Sequence, residues 1–143
     1  HKTGAAFANG HIIHGAANAM YLPKVIKFNS KDETAKKRYA QLADYLHLGG
    51  KSDEEKVNKL IALVRKMNDE LKIPQSIKNY GNGGVIVDEK DRMVPEEEFL
   101  AKVHDIAVNA LGDACTGSNP RQPSVEEMEK LLKCCYYDTE VDF

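Results

Sequence analysis

Three of the chain's five histidines, His1, His11 and His14, fall within its first fourteen residues. Neutral imidazole suits zinc, iron and nickel, and three or four donors make a typical protein site. His11 and His14 stand at i, i+3, which would put both on one face if this stretch is helical. The competing reading is that these histidines cap or pack. His47 and His104 stand near helix ends or on polar faces and read as surface residues. Cys134 and Cys135 are neighbours, and neighbours on a helix point in different directions, so joint metal binding is not expected. Cys135 reads instead as a small apolar core residue. Cys115 lies in a loop beside Asp113 and Thr116, without the nearby base and lowered pKa that a nucleophilic thiol needs. The loop NPRQP, residues 119–123, fixes an extended path. There Arg121 can tie carbonyls or a carboxylate with its fork of donors, mainly as a structural loop before a helix.

These residues need elements to position them, and the apolar spacing predicts helices almost throughout. Residues 14–28 are apolar on nearly every face, which predicts a buried helix that Pro23 kinks or ends. Ala35, Tyr39, Leu42, Ala43 and Leu46 mark a helix over 33–47, stopped by Gly49 and Gly50. Ser52 with Glu55 is a capping box, and the i, i+3, i+4, i+7 run from Val57 to Leu71 follows it, giving a helix over about 53–72. A short helical turn fits 75–80. Val85 to Val87 is a β-branched run that could pair with Arg92 to Val94 across Asp88 to Asp91, a small hairpin near 85–94. Pro95 and three glutamates start a helix that runs to Leu111. Ser124 with Glu127 is a second capping box, opening a last helix lined by Met128, Leu131, Leu132 and Cys135. The expected architecture is one all-α domain over residues 1–143.

Composition narrows the function classes. With 42% hydrophobic and 29% charged residues over 143, and a net charge of −2, the chain is ordinary for a folded globular domain. No stretch approaches the length of a membrane span. The small charge gives no reason to expect nucleic acid as a partner, although residues 1–29 carry Lys2, Lys24 and Lys27 and no acid. Three cysteines form no even-numbered disulfide framework, which favours a reducing, cytoplasmic setting. The sequence has no GxGxxG opening a helix, no P-loop and no GxSxG elbow. It opens on histidine without a signal-peptide pattern, so position 1 reads as a cut inside a longer protein or a processed end.

The motifs resemble a family. HKTGAAF at 1–7, followed by His11, His14-Gly15 and Asn18-Ala19, looks like the metal-binding signature of the iron-dependent (group III) alcohol dehydrogenases. The likeness continues through YLPKVIKFN at 21–29, GDACT at 112–116 and SNPR at 118–121. The ending LLKCCYY at 131–137 resembles the C-terminal end of bifunctional acetaldehyde-CoA/alcohol dehydrogenases. Relative to the family pattern, Ile13 replaces a proline, residues 8–10 look like a three-residue insertion, and the region near 82–94 looks like extra sequence.

The resemblance implies the helical C-terminal domain of the dehydroquinate synthase-like/iron alcohol dehydrogenase fold, facing an upstream nucleotide-binding domain absent from this chain. It implies a catalytic metal, Fe(II) or possibly Zn, held by one aspartate and three histidines, with NAD(H) or its phosphorylated form carrying hydride. His14 matches the last histidine ligand. His1 matches the histidine near the nicotinamide and substrate, where a proton relay is suspected, so it is both the catalytic and the cofactor-binding candidate. His11 matches no regular ligand. The expected function is part of an enzyme interconverting acetaldehyde, or a similar short aldehyde, and its alcohol, with the isolated chain inactive. The parent is expected to be cytoplasmic, to lack membrane and nucleic-acid partners, and to form a homo-oligomer or filament. Two alternatives stay open: a non-catalytic helical interaction or regulatory module with structural histidines, and a self-sufficient metal protein using His1, His11 and His14.

Overall fold

The computed structural model describes residues 1–143 and contains five α-helices and no sheet. They are α1 (His14–Asn29), α2 (Glu33–Tyr45), α3 (Asp53–Glu70), α4 (Glu96–Leu111) and α5 (Val125–Tyr137). The all-α expectation holds, and no helix is long and apolar enough to cross a membrane.

The helix starts follow from local chemistry. Asp32 accepts from the Ala35 amide and Ser52 from the Glu55 amide, while Ser124 and Glu127 form the complete reciprocal box. The Ser52 box is incomplete, because Glu55 accepts from the Lys51 amide at 2.7 Å instead of from Ser52. The helix ends do not need glycine. At α2 and α3 the left-handed residue is His47 (φ 55°) or Lys72 (φ 57°). In both, the left-handed residue's own amide and the next one bond back as a Schellman pair: His47 to the Asp44 carbonyl and Leu48 to the Ala43 carbonyl, both at 3.0 Å, and Lys72 to the Asp69 carbonyl at 3.1 Å and Ile73 to the Asn68 carbonyl at 2.8 Å. The α2 helix therefore stops before Gly49.

Pro23 neither ends α1 nor breaks it. Proline lacks the amide that would bond the Ala19 carbonyl, and a neighbouring helix supplies the missing donor. Asn68 of α3, 4% exposed, donates from Nδ2 to the Ala19 carbonyl at 2.9 Å.

Three packing clusters hold the helices together. Met20 and Ala17 of α1 meet Phe99, Val103 and Ile106 of α4 and Leu132, Cys135 and Tyr136 of α5 in the main core. At its centre Phe99 stacks on Tyr136 with centroids 4.3 Å apart. Ile26 packs with Ala43, Val57 and Leu60, seating α2 and α3 on the far half of α1. Phe28, Leu131, Cys134 and Val141 form the third cluster. The two adjacent cysteines thus face different clusters, and all three cysteines are free thiols. Arg121 is structural as its loop suggested. Its guanidinium lies 3.8 Å over the Phe28 ring and donates to the Phe28 and Phe143 carbonyls and to Glu127.

The hairpin near 85–94 takes a different pairing from the one expected. Val85 to Val87 returns onto residues 79–81 rather than onto Arg92 to Val94, with a single bridge between Tyr80 and Ile86. The tight turn Gly81 to Gly84 reverses the chain, and the Val87 amide donates to the Asn79 carbonyl at 3.0 Å. The Met93 amide then bonds the Tyr80 carbonyl at 2.9 Å. Residue 80 is therefore flanked by both segments, which never pair with each other.

Candidate metal centre

The first thirteen residues are not helical, yet they are firmly held. Thr3, Phe7 and Ile12 are buried anchors. The Tyr21 hydroxyl of α1 donates to Thr3 Oγ1 at 2.7 Å, and burial pushes its phenol far above the ordinary range. Lys102 of α4 donates to the Ala6 carbonyl at 2.6 Å and pairs with Glu98, which also accepts from the Ala8 amide. The Ile13 amide donates to the buried Tyr80 hydroxyl at 2.9 Å, fixing where α1 begins.

Helix α1 starts at His14, so His11 lies outside it and the i, i+3 argument for a shared face does not apply. The structure instead pairs His14 with His1. Their rings stack with centroids 4.6 Å apart and an interplanar angle of 6°. One turn along α1, the Asn18 amide lies 3.1 Å from His14 Nε2. His14 Nδ1 makes no hydrogen bond to the protein. The Asn18 Nδ2 can only donate, so Nε2 accepts and the neutral ring carries its proton on Nδ1. The exposed imidazole has a metal-ligating lone pair at Nε2, held in this structure by the amide. His11 lines the same shallow depression as His1 and His14, but the three histidines do not gather their nitrogens into a cluster. His47 and His104 are exposed and remote, His104 sitting 2.6 Å from Glu129 across the α4–α5 pair.

A different set of donors does converge. A ring nitrogen of His1, a carboxylate oxygen of Asp113 and the sulfur of Cys115 lie within 4.8 Å of one another. Asp113 accepts from the Cys115 amide at 3.0 Å and pairs with Lys2 at 3.4 Å. These contacts, the amide bond foremost, hold its carboxyl below the usual carboxylate range. Beneath this group opens a cavity of about 360 Å3 whose walls include Tyr21, Val25, Phe28, Ile106 and Leu131.

Residues 1–136 match the Fe-containing alcohol dehydrogenase family, C-terminal. The chain belongs to that family. It is 50% identical over 143 residues to the NADPH-dependent butanol dehydrogenase of Clostridium saccharobutylicum, covering all of this chain and 32% of that protein. It is 36% identical over 152 aligned residues to the bifunctional aldehyde-alcohol dehydrogenase of Escherichia coli K12, covering 96% of this chain and 15% of that protein. It is 37% identical over 139 residues to the aldehyde-alcohol dehydrogenase of Clostridium acetobutylicum, covering 88% of this chain and 15% of that protein. The chain thus spans a third or less of the length of these relatives.

In this iron-type alcohol dehydrogenase domain, residues 9–13 pack on residues 82–93. The Asn9 side chain donates to the Met93 carbonyl at 3.4 Å. Gly10, at φ 151°, passes so close that a Cβ there would stand 2.7 Å from Asn82 Oδ1 and 3.1 Å from the Met93 sulfur. Ile13 reaches Gly84. The two segments that read as departures from the family pattern therefore touch each other. Asn18, Tyr80 and Asp113 are the site residues that sequence reasoning assigned no role. Asn18 had a visible signal in its i, i+4 spacing from His14, whereas Tyr80 and Asp113 are brought in only by tertiary packing.

Proposed function

We propose that this chain is the metal-side helical part of an NAD(P)-dependent iron alcohol dehydrogenase that interconverts a short aldehyde, acetaldehyde or a slightly longer homologue, and its alcohol. The observation that carries this reading is His14. It is an exposed imidazole at the first turn of α1, ring-stacked on His1, in a chain whose residues 1–136 match the family.

On this reading His14 is one ligand of Fe(II), or of zinc in its place, and the remaining ligands and the nucleotide-binding domain come from elsewhere in a longer polypeptide. A metal held there would polarise the alcohol or carbonyl oxygen while the nicotinamide exchanges hydride with the adjacent carbon. Asn18 donates to His14 Nε2 and steadies the ring; that Nε2 lone pair would go to a metal in place of the amide. His1, held over His14 by the buried Thr3 and Phe7 anchors, accepts the proton of the alcohol at a ring nitrogen and passes it to solvent. The same ring would also be the chain's contribution to holding the nicotinamide. Protomers of the full enzyme assemble as homo-oligomers or filaments, in the cytoplasm.

The test is NADH and NADPH oxidation with acetaldehyde and butanal, run on this chain alone and on the complete polypeptide that contains it. The complete polypeptide should turn over and the isolated chain should not, because one ligand cannot hold the metal. Turnover by the isolated chain at the rate of the complete enzyme would overturn the shared-site reading.

A further inference from the structure

We propose that His1, Asp113 and Cys115 form a second metal site, separate from the position of His14, that takes a thiophilic divalent cation such as Zn2+. The three side chains offer one imidazole nitrogen, one carboxylate oxygen and one sulfur within 4.8 Å of one another. This mixed donor set suits zinc. Tetrahedral zinc with bonds of about 2.0–2.3 Å would place its ligand atoms roughly 3.3–3.8 Å apart. Closing from the observed spread needs about 1 Å of side-chain movement, which is within reach of rotamer adjustment at the exposed His1 and Cys115.

The backbone beneath the donors is already set. The Thr116 amide donates to the Asp113 carbonyl at 3.0 Å and the Thr116 hydroxyl to the Ala110 carbonyl at 2.6 Å, closing a tight turn that carries both Asp113 and Cys115. Lys2 ties the His1 segment to the same turn through Asp113. The Asp113 carboxyl is held below its ordinary range, so it is already ionised at neutral pH. His14 covers the face of the His1 ring, which leaves the ring edge, where the lone pair lies, free to coordinate. His1 and Cys115 line the cavity and are exposed, so water can fill the fourth position.

Binding is a ligand exchange without redox change. The metal loses water, the Cys115 S–H bond breaks, the sulfur forms the metal bond, and the proton goes to buffer. If the functional reading above is right, an ion here withdraws His1 from proton transfer and makes the site inhibitory. The binding itself does not depend on that reading.

The experiment is titration of this chain with Co2+ under reducing, anaerobic conditions, followed by absorbance, with zinc competition. One Co2+ per chain should bind, with a thiolate-to-cobalt charge-transfer band that zinc abolishes. Cys115→Ser should lose the band, and Asp113→Asn should weaken binding by more than the roughly 10–100-fold that losing an outer-shell partner costs. His14→Ala should keep both band and affinity. Acetylating the first residue's amine should also keep them, which separates this site from amine–imidazole chelation. Far-UV circular dichroism confirms that each variant keeps its helices. Uptake without a thiolate band, uptake lost in His14→Ala or on acetylation, or no uptake at all would each overturn the proposal. Loss in His14→Ala alone would leave the functional reading standing while removing this one.

Discussion

Asn68→Ala should cost this fold about 2 kcal/mol, and most of that cost should disappear when Pro23 is replaced by alanine. The reasoning starts at the Ala19 carbonyl. Pro23 cannot donate to it, and the Asn68 amide does so at 2.9 Å from a side chain that is 4% exposed. Removing the amide leaves a buried acceptor without a partner, a loss of about 1–3 kcal/mol. For a chain of this length that corresponds to a fall in Tm of roughly 4–8 °C. Pro23→Ala restores an i to i−4 amide aimed at the same carbonyl, so Asn68→Ala made in that background should cost below about 1 kcal/mol, most of the difference being coupling between the two sites. Urea unfolding of the four proteins, followed by circular dichroism at 222 nm, completes the cycle. An Asn68→Ala cost that is equal in both backgrounds would refute the idea that this side chain exists to serve the proline.

Two further predictions concern titration. His104 accepts its raised pKa first from the hydrogen bond to Glu129. Its contribution to stability is therefore complete below the ordinary imidazole range and fades as pH rises through the folded-state value. NMR titration should show its ring titrating above about 6.5, and Glu129→Gln should return it to the ordinary value; an unchanged midpoint would contradict the pairing. At Asp138, burial pushes the carboxyl up, but the paired donors of Arg65, both at 2.7 Å, and Lys24 at 2.8 Å outweigh it and hold it below the usual range. The stability it contributes is present above the unfolded-state value of about 4 and is lost as pH falls through the lower folded-state value. Asp138→Asn should accordingly destabilise the chain at pH 7 and flatten the acid limb of its stability profile, measured by urea unfolding between about pH 2 and 7. An acid limb as steep as the wild type's would contradict this.

What the sequence disclosed about this fold was local chemistry, and what it concealed was tertiary. Ser52 and Ser124 announce helix starts because a cap is satisfied within three residues, Pro95 because its fixed φ and the three glutamates after it suit a first turn, and α4 runs to Leu111 as its spacing predicts. The ends at His47 and Lys72 were hidden because non-glycine residues hold the left-handed position there, against the usual glycine signal. Pro23 reads as a break until a donor 45 residues further along the chain is placed beside Ala19. Val85 to Val87 was recognisable as extended, but its partner was fixed by the glycine turn before it rather than by the apolar run after it. The site divides in the same way. His14 was legible from its motif, and its pairing with His1 followed once Thr3 and Phe7 anchored the first residues. The meeting of His1 with Asp113 and Cys115 joins the chain's beginning to a loop more than a hundred residues away, a juxtaposition no spacing rule could supply.

The central claim is that His14 belongs to the metal centre of an iron-type alcohol dehydrogenase. Its most direct test is iron content per protomer, by elemental analysis, of the complete polypeptide purified anaerobically with and without His14→Ala. The expected result is close to one iron per protomer in the wild type and its loss in the variant, with helicity unchanged. Full iron content in His14→Ala would contradict the claim.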